Sequence, residues 1–567
     1  MFFHRWKSAL AGLLNGPRRL LGLLALGLFL STLSPLGSLE AAAAGQEEAA
    51  ALPQEAGAKA GEAVFRVGLE ANYAPFNWSQ TSAAGGAYPI ANSPGEYVNG
   101  YDLWMAKELA SRLGMKLEVQ KIEWDGLTPA LMSGLIDAIV AGMSPTEERR
   151  EQIDFTEPYY RSDLVLVLRK DSPYSQARSL KDFQGARVSG QLNTFHYTVI
   201  EQIPAVQRQA AMDSFPTLIT AVKSGALDAY VSERPGAMAA VAASPELSYV
   251  QFPEGQGFTV KDEDVSIAVG LRKDSPLLPL LNQALRGIPE EERQAAMERM
   301  IALEQQGEAS AGGQVQQPGF WRQTVQILRD YGPLFLRGAA VTLLISTVGT
   351  LLGFLLALLV QILRELAYPA RAGLLLRGLY RLLQFLLGAY VEIFRGTPMM
   401  VQAVLLFYGS RLFFGWELSS LAAALIIVSV NTGAYLAEVI RGGIRAIDRA
   451  QFEACTSLGL SHSQSMRYVI LPQTIRAILP AVGNEFVVNI KDTSVLNVIS
   501  VTELFFATRS VAGSTYLVFQ TYAITALIYF VLTFAATRLI NYWGKKSGKI
   551  QAFSLSSQTQ GGQEVPG

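Results

Sequence analysis

A run of 23 residues without a single charge, 341–363, constrains this chain more than any other feature. It is long enough to cross roughly 30 Å of hydrocarbon as one helix. Segments 422–440 and 516–540 repeat the pattern with one charge each, Glu438 and Arg538. Two further segments are apolar but interrupted. Residues 382–408 contain Glu392, Arg395 and Gly396-Thr397-Pro398, which predicts a broken or composite span. Residues 477–501 contain Glu485, Lys491 and Asp492, so hydropathy alone leaves that span open.

Charge between the spans orders them. Stretch 364–381 carries Arg364, Arg371, Arg377 and Arg381 against one glutamate, and 441–476 carries Arg441, Arg445, Arg449, Arg467 and Arg476 against two acids. Lys545, Lys546 and Lys549 follow the last span. The positive-inside rule puts all three on the cytoplasmic face. Five crossings then place 63–319 outside.

The region before the spans has a different character. Arg5, Lys7, Arg18 and Arg19 precede the apolar run 20–30 and the small residues 41–44, so 1–44 reads as a signal peptide or N-terminal anchor. No cysteine follows that run to carry a lipid. Residues 45–62, rich in Ala and Glu, read as a linker. From 63 to 303, short apolar runs such as VFRVGL (64–69) and IDAIVAGM (136–143) alternate with amphipathic stretches such as YDLWMAKELASRLG (101–114). This alternation predicts an α/β domain with helices on a largely parallel sheet. A second polar linker, 304–329, leads to a membrane domain, 330–545, and a polar tail, 546–567.

Composition excludes several classes. One cysteine, Cys455, and three scattered histidines, His4, His196 and His462, rule out a disulfide framework and argue against a metal site. A net charge of −1 gives no argument for nucleic acid. No phosphate loop of the form G-x-x-x-x-G-K-[ST] occurs; Gly544-Lys545-Lys546-Ser547-Gly548-Lys549 has the wrong spacing. The predicted membrane domain therefore brings no ATPase motif with it, and no residue set reads as catalytic.

Residues 453–480, EACTSLGLSHSQSMRYVILPQTIRAILP, resemble the EAA loop of ABC-importer permeases through Glu453, Ala454, Gly459 and Pro472. VEIFRGTPMMVQ (391–402), NTGAYLAEVIRGGI (431–444) and NEFVVNIKDTSVL (484–496) resemble the polar amino acid subfamily, of His/Glu/Gln/Arg type. Cys455 departs from the usual second alanine. The resemblance implies an all-α permease in the bacterial inner membrane, a docking helix for a separate ATP-binding cassette subunit that holds ATP and Mg, and a permease homodimer.

In the soluble half, AGMSPTEERREQIDFTEPYY (141–160) joins small residues to a charge run and paired tyrosines. Ser144, Pro145 and Glu147 fit a capping box, predicting a helix from about Pro145 whose free N–H groups suit a carboxylate, with Arg149 one turn in. Together with GLEANYAPFNW (68–78), GYDLWMAKELA (100–110) and ALDAYVSERPGA (226–237), this stretch resembles the family 3 extracellular solute-binding proteins for polar amino acids. These are two-lobed type II periplasmic-binding-protein folds that close on one free amino acid. The resemblance implies that Arg149, Ser144 and Gly142 meet its α-carboxylate and Glu233 its α-ammonium group, with Ala141 also among the substrate-binding residues. Tyr73 and Trp124 would sandwich it, and Glu70 would meet its side chain. Thr194 is a further contact, although Asn193 and Phe195 depart from the family's Gly-Thr-Thr-like turn. Tyr159 and Tyr160 would open the crossover to the second lobe.

A carboxylate at Glu70 favours arginine, lysine or histidine, then glutamine, with glutamate last. Two alternatives come from other classes. An amino-acid-gated channel could use a similar domain, and Thr347-Val348-Gly349-Thr350 has the composition of a potassium filter, yet it sits inside an unbroken apolar run. An enzyme on the binding fold would need an acid–base pair, and nothing marks Glu70 or Glu233 as one. Neither accounts for the inner loop.

Overall fold

A computed structural model describes residues 63–309, 319–366, 368 and 373–546. The predicted signal or anchor, the first linker and the tail beyond Lys546 lie outside the described residues. The soluble half forms two sheets. The first has the order Lys116–Lys121, Val64–Leu69, Ala138–Ile139, Gly270–Leu271, Asp154–Phe155, and the second Gln207–Arg208, Arg187–Ser189, Ala229–Glu233, Leu164–Arg169, Leu247–Val250. In each, four strands run the same way and the fourth in the order, Gly270–Leu271 or Leu164–Arg169, runs antiparallel to both its neighbours.

The sheets are thus largely parallel, as expected, and connectivity explains the one reversed strand in each. Strand Leu164–Arg169 enters the second sheet from the first lobe, and Gly270–Leu271 returns, so each runs against its hosts. The two crossovers pair as Tyr160–Arg161 with Ser266–Ile267. Tyr159 and Tyr160 therefore do open the crossover. Tyr159 is buried there, and its hydroxyl donates to Asp102 Oδ1 at 2.6 Å. Burial pushes Asp102 up to about 6, against the hydrogen bonds from Tyr159 and Asn77.

The membrane half is helical. Four helices are long and apolar enough to cross a bilayer: Phe320–Arg364, Leu374–Gly396, Ser420–Arg445 and Val518–Tyr542. The bent pair His462–Ile499 and Leu504–Thr515, 58° apart, makes a fifth if taken as one span. The predicted break falls at Thr397-Pro398, after which Met399–Phe414 continues. Thr347 to Thr350 lie in the middle of helix Phe320–Arg364, with no re-entrant loop. The stretch expected to be a linker is helical at both described ends, as part of Glu290–Ala309 and of Phe320–Arg364. Thr324 and Ile327 are buried there, which gives the first turns of the long helix something to pack on.

Polar residues inside the bundle serve packing. Asn489 Nδ2 donates to Thr350 and Thr432 at 2.8 and 3.0 Å, tying three helices together. Asn431 donates to Gln402 Oε1 at 3.0 Å, and Glu438 holds Arg364 at 3.1 Å and also Arg441. Gly349 and Gly353, four apart, let helix Phe320–Arg364 lie against Ser420–Arg445. A Cβ at Gly353 would come within 2.8 Å of Thr432 Cβ and 3.0 Å of the Ser429 carbonyl. Gly353→Leu is expected to cost at least about 1–3 kcal/mol, read as a lower melting temperature of the detergent-purified chain; an unchanged melt would contradict this packing.

Helix Leu504–Thr515 carries the soluble half. A Cβ on its Gly513 would approach Asn72 Cβ to 2.7 Å. Ser79 meets Ser510 and Ser514 at 3.0 Å each, and Lys121 Nζ, paired with Glu96 at 3.0 Å, donates to Ser510 Oγ at 2.6 Å. Both members of that ion pair are buried, so the first lobe is seated on the membrane helices by contacts costly to break.

Candidate functional site

The two sheets direct the carboxyl ends of their parallel strands at one cleft, where ligands bind in open α/β folds. Glu70 follows strand Val64–Leu69, Gly142 follows Ala138–Ile139, Gln191 and Thr194 follow Arg187–Ser189, and Glu233 ends Ala229–Glu233. These residues, with Tyr73, Trp124, Ser144, Arg149, Phe195, His196 and Phe215, line one cavity between the sheets.

Arg149 spans the cleft. Its Nη1 donates to the Ser144 carbonyl at 3.0 Å and its Nη2 to the Asn193 carbonyl of the other lobe at 2.9 Å. The guanidinium lies 5.1 Å from the Trp124 ring centroid, a cation–π contact. Burial lowers Arg149 to about 10, so it stays charged at neutral pH. Asn193 takes φ +56°, a left-handed conformation that asparagine tolerates, and this lets its carbonyl face Arg149. Its side chain donates to Asp125 at 2.8 Å, another bond across the cleft.

Two carboxyls line the opposite part. Glu233 lies with Oε1 2.9 Å from His196 Nε2 and accepts the Tyr73 hydroxyl on Oε2. Burial acts to raise it, but the charge and contact of His196 and the Tyr73 hydroxyl hold it below the usual carboxylate range. Glu70 accepts from Asn72 Nδ2 at 2.9 Å. Burial, then the nearby Glu123 charge, pushes it up to about 8. In that state a carboxyl offers one donor and one acceptor, and an incoming cation would draw it back to the ionised form.

Of the residues expected from sequence, Glu70, Tyr73, Trp124, Gly142, Ser144, Arg149, Thr194 and Glu233 come together here. Ala141 does not; its methyl packs into the core beneath. Gly142, at φ +64°, lines the cavity, but its N–H is directed at the Tyr159 hydroxyl, 3.4 Å away. Tyr73 stacks on Phe215 at 4.2 Å and on Phe76 at 5.1 Å. The capping box predicted at Ser144 is absent. The helix is only Glu147–Gln152 with Thr146 as N-cap, because Met143 is held extended by the Ala268 N–H and the Ser144 carbonyl is taken by Thr146 and Arg149. Gln191, Phe195, His196 and Phe215 were not foreseen. His196 was visible two residues past Thr194, while Phe215, at a helix start before Pro216, has the pattern of a core residue.

A second surface lies at the other end of the membrane helices. Helix Arg449–Ser457 ends at Gly459, whose φ of +72° permits a Schellman turn with Leu460 N–H bonded to the Cys455 carbonyl at 3.0 Å. Cys455 faces inward, whereas Glu453, Ala454, Gly459 and Pro472 are exposed, as is Leu458 at 79%.

A model of the bacterial extracellular solute-binding proteins, family 3, matches residues 65–301, and one of the binding-protein-dependent transport system inner membrane component matches 370–547. The probable glutamine ABC transporter permease protein GlnM of Bacillus subtilis is 32% identical over 40% of this chain and 98% of its own length. The arginine transport system permease protein ArtQ of the same organism is 29% identical over 36% of this chain and 88% of its own. Among solved structures, an amino acid ABC transporter substrate-binding protein, AbpA from Streptococcus pneumoniae bound to L-arginine, is 25% identical. It covers 42% of this chain and 95% of its own, with a TM-score of 0.36.

Proposed function

Because the chain belongs to the amino acid permeases of ABC importers, with a family 3 solute-binding domain on the same polypeptide, we propose that it captures a polar amino acid, basic by preference, and passes it to its own permease half. The observation that carries this is the meeting of Arg149, Glu233 and Glu70 in one interlobe cavity. A free amino acid needs a cation for its carboxylate and an anion for its ammonium group, and these two charges stand on opposite lobes. Glu70 is left for the side chain.

A guanidinium or ammonium at Glu70 restores its charge and forms a charge-assisted bond, worth more than a neutral one. The amide of glutamine fits a protonated carboxyl. Glutamate would add another acid where Glu123 already bears on Glu70.

In this reading residues 63–309 face the outside, in the periplasm where there is one, delivered there by the N-terminal signal or anchor. Energy comes from a separate ATP-binding subunit seated on the exposed face around Glu453, Ala454 and Gly459. Two copies of the chain form the pathway, burying part of the apolar surface that helices Leu374–Gly396 and Met399–Phe414 expose.

Calorimetric titration of the full chain in nanodiscs with arginine, lysine, histidine, glutamine and glutamate tests the reading. Basic amino acids should bind tightest, glutamine next, and glutamate at least about tenfold more weakly, a difference of about 1.4 kcal/mol. A preference for glutamate would remove Glu70 as selector and leave the importer intact. Silence toward all five would overturn amino acid capture itself.

A further inference from the structure

Helix Leu504–Thr515 reaches the back of the side-chain subsite as well as the outside of the soluble half. Glu70 lines the cavity and accepts from Asn72 Nδ2 at 2.9 Å. Asn72 in turn rests on Gly513, where a Cβ would come within 2.7 Å of the Asn72 Cβ. Gly513 follows Arg509 by four residues, so the two share one face of the helix. Arg509 does not line the cavity. It pairs with Glu123 at 2.9 Å, next to the cavity residue Trp124, and with Asp213 at 2.7 Å, two residues before the cavity residue Phe215. One cation of the membrane half therefore stands behind the lining, a helical turn from the contact that supports Glu70's partner.

The charges around Glu70 do not cancel. Glu123 and Asp213 are two acids, and Arg509 is the cation they share. Burial comes first in pushing Glu70 up to about 8; Glu123 and Asp213 add to it, while Asn72 and Arg509 oppose it. At pH 7 such a group is mostly protonated, which suits the amide of glutamine. A basic side chain needs the ionised form instead. Each further unit upward costs the basic ligand about tenfold and leaves glutamine nearly unaffected. Arg509 thus favours the carboxylate, although it also repels a basic side chain directly. Support for the carboxylate prevails, because Glu70 and Asn72 lie between the cavity and the helix face that carries Arg509.

We propose that Arg509 is a specificity-determining residue that acts through Glu70: by offsetting Glu123 and Asp213 behind it, Arg509 tilts the side-chain subsite from an amide toward a basic side chain. Charge selection by the soluble half is then set in part by the membrane half docked on it. The proposal rests on the amino-acid reading above, with Glu70 as the group that meets the side chain.

Calorimetry of the full chain in nanodiscs at pH 7, with L-arginine and L-glutamine, reads the ratio of the two affinities. Arg509→Met should shift that ratio toward glutamine by roughly tenfold, the equivalent of one unit at Glu70. Arg509→Lys keeps the charge and loses the planar fork, so it should weaken both ligands and hold the ratio. Glu123→Gln breaks the same ion pair from the other side but removes an acid, so it should shift the ratio toward arginine. Loosened docking would weaken both ligands in either variant; opposite shifts of the ratio come from charge. Where binding is weak, equilibrium dialysis with both amino acids present at millimolar concentration reads the same ratio. A ratio that Arg509→Met leaves unchanged or moves toward arginine would overturn the role of Arg509 while amino acid capture stands. So would a shift toward glutamine in Glu123→Gln as well, since docking would then be the cause. No binding of either amino acid by the unmodified chain would overturn both readings.

Discussion

Replacing Arg149 by alanine should weaken binding of a free amino acid by roughly 30- to 5,000-fold. The range follows from about 2–5 kcal/mol for truncating one partner of a buried, hydrogen-bonded charge pair. In the closed cleft its two N–H donors rest on the carbonyls of Ser144 and Asn193, one from each lobe. A carboxylate entering between the lobes would take over those donors as a bidentate acceptor. Arg149→Lys keeps the charge and loses the planar fork, so it should fall between wild type and alanine.

Arg149 also packs on Trp124 and joins the lobes, so weaker binding alone does not identify its ligand group. The decarboxylated analogue supplies the control. The unmodified chain should prefer arginine to agmatine strongly, and Arg149→Ala should bind the two nearly alike. Retained discrimination in Arg149→Ala would show that the carboxylate is read elsewhere.

Much of this geometry is legible in the residues because it is local. The run 341–363 becomes the middle of one helix, Gly396-Thr397-Pro398 becomes the break, and Glu70, Arg149 and Glu233 stand in stretches whose strand ends lead straight into the cleft. What was hidden depends on distant partners. The one reversed strand in each sheet follows from which lobe a chain segment comes from, and nothing within Leu164–Arg169 records it. Ser144 has the spacing of a cap, but a tertiary bond from Ala268 to Met143 holds the preceding backbone extended. His196 is an ordinary polar residue until Glu233, 37 positions later, is folded against it. Lys121, Glu96 and Ser510 are equally plain alone, and only docking makes them one buried cluster.

Arg509 belongs to that hidden set and should be the most sensitive docking residue to charge reversal. It projects from helix Leu504–Thr515 and pairs with Glu123 of the first lobe at 2.9 Å and Asp213 of the second at 2.7 Å. Glu123 immediately precedes Trp124, and Asp213 lies two residues before Phe215, so one membrane-domain cation touches both walls of the cavity. The first lobe has other anchors in Ser79, Lys121 and Asn72. Asp213 ties the second lobe to this helix by charge. Arg509→Glu sets a third acid between these two. Like charges juxtaposed at an interface cost several kcal/mol; with Asp213 half-exposed, about 2 kcal/mol is expected, or roughly 30-fold in amino acid affinity. The lobes should also move apart, read as lower energy transfer between dyes at Lys116→Cys and Lys181→Cys in a Cys455→Ala chain. Adding Asp213→Lys to Arg509→Glu restores an opposite pair and should recover a large part of both signals. If Arg509→Glu closed and bound like the unmodified chain, the second lobe would not be held through Arg509. If Asp213→Lys failed to rescue, the loss would lie with Glu123 and the first lobe.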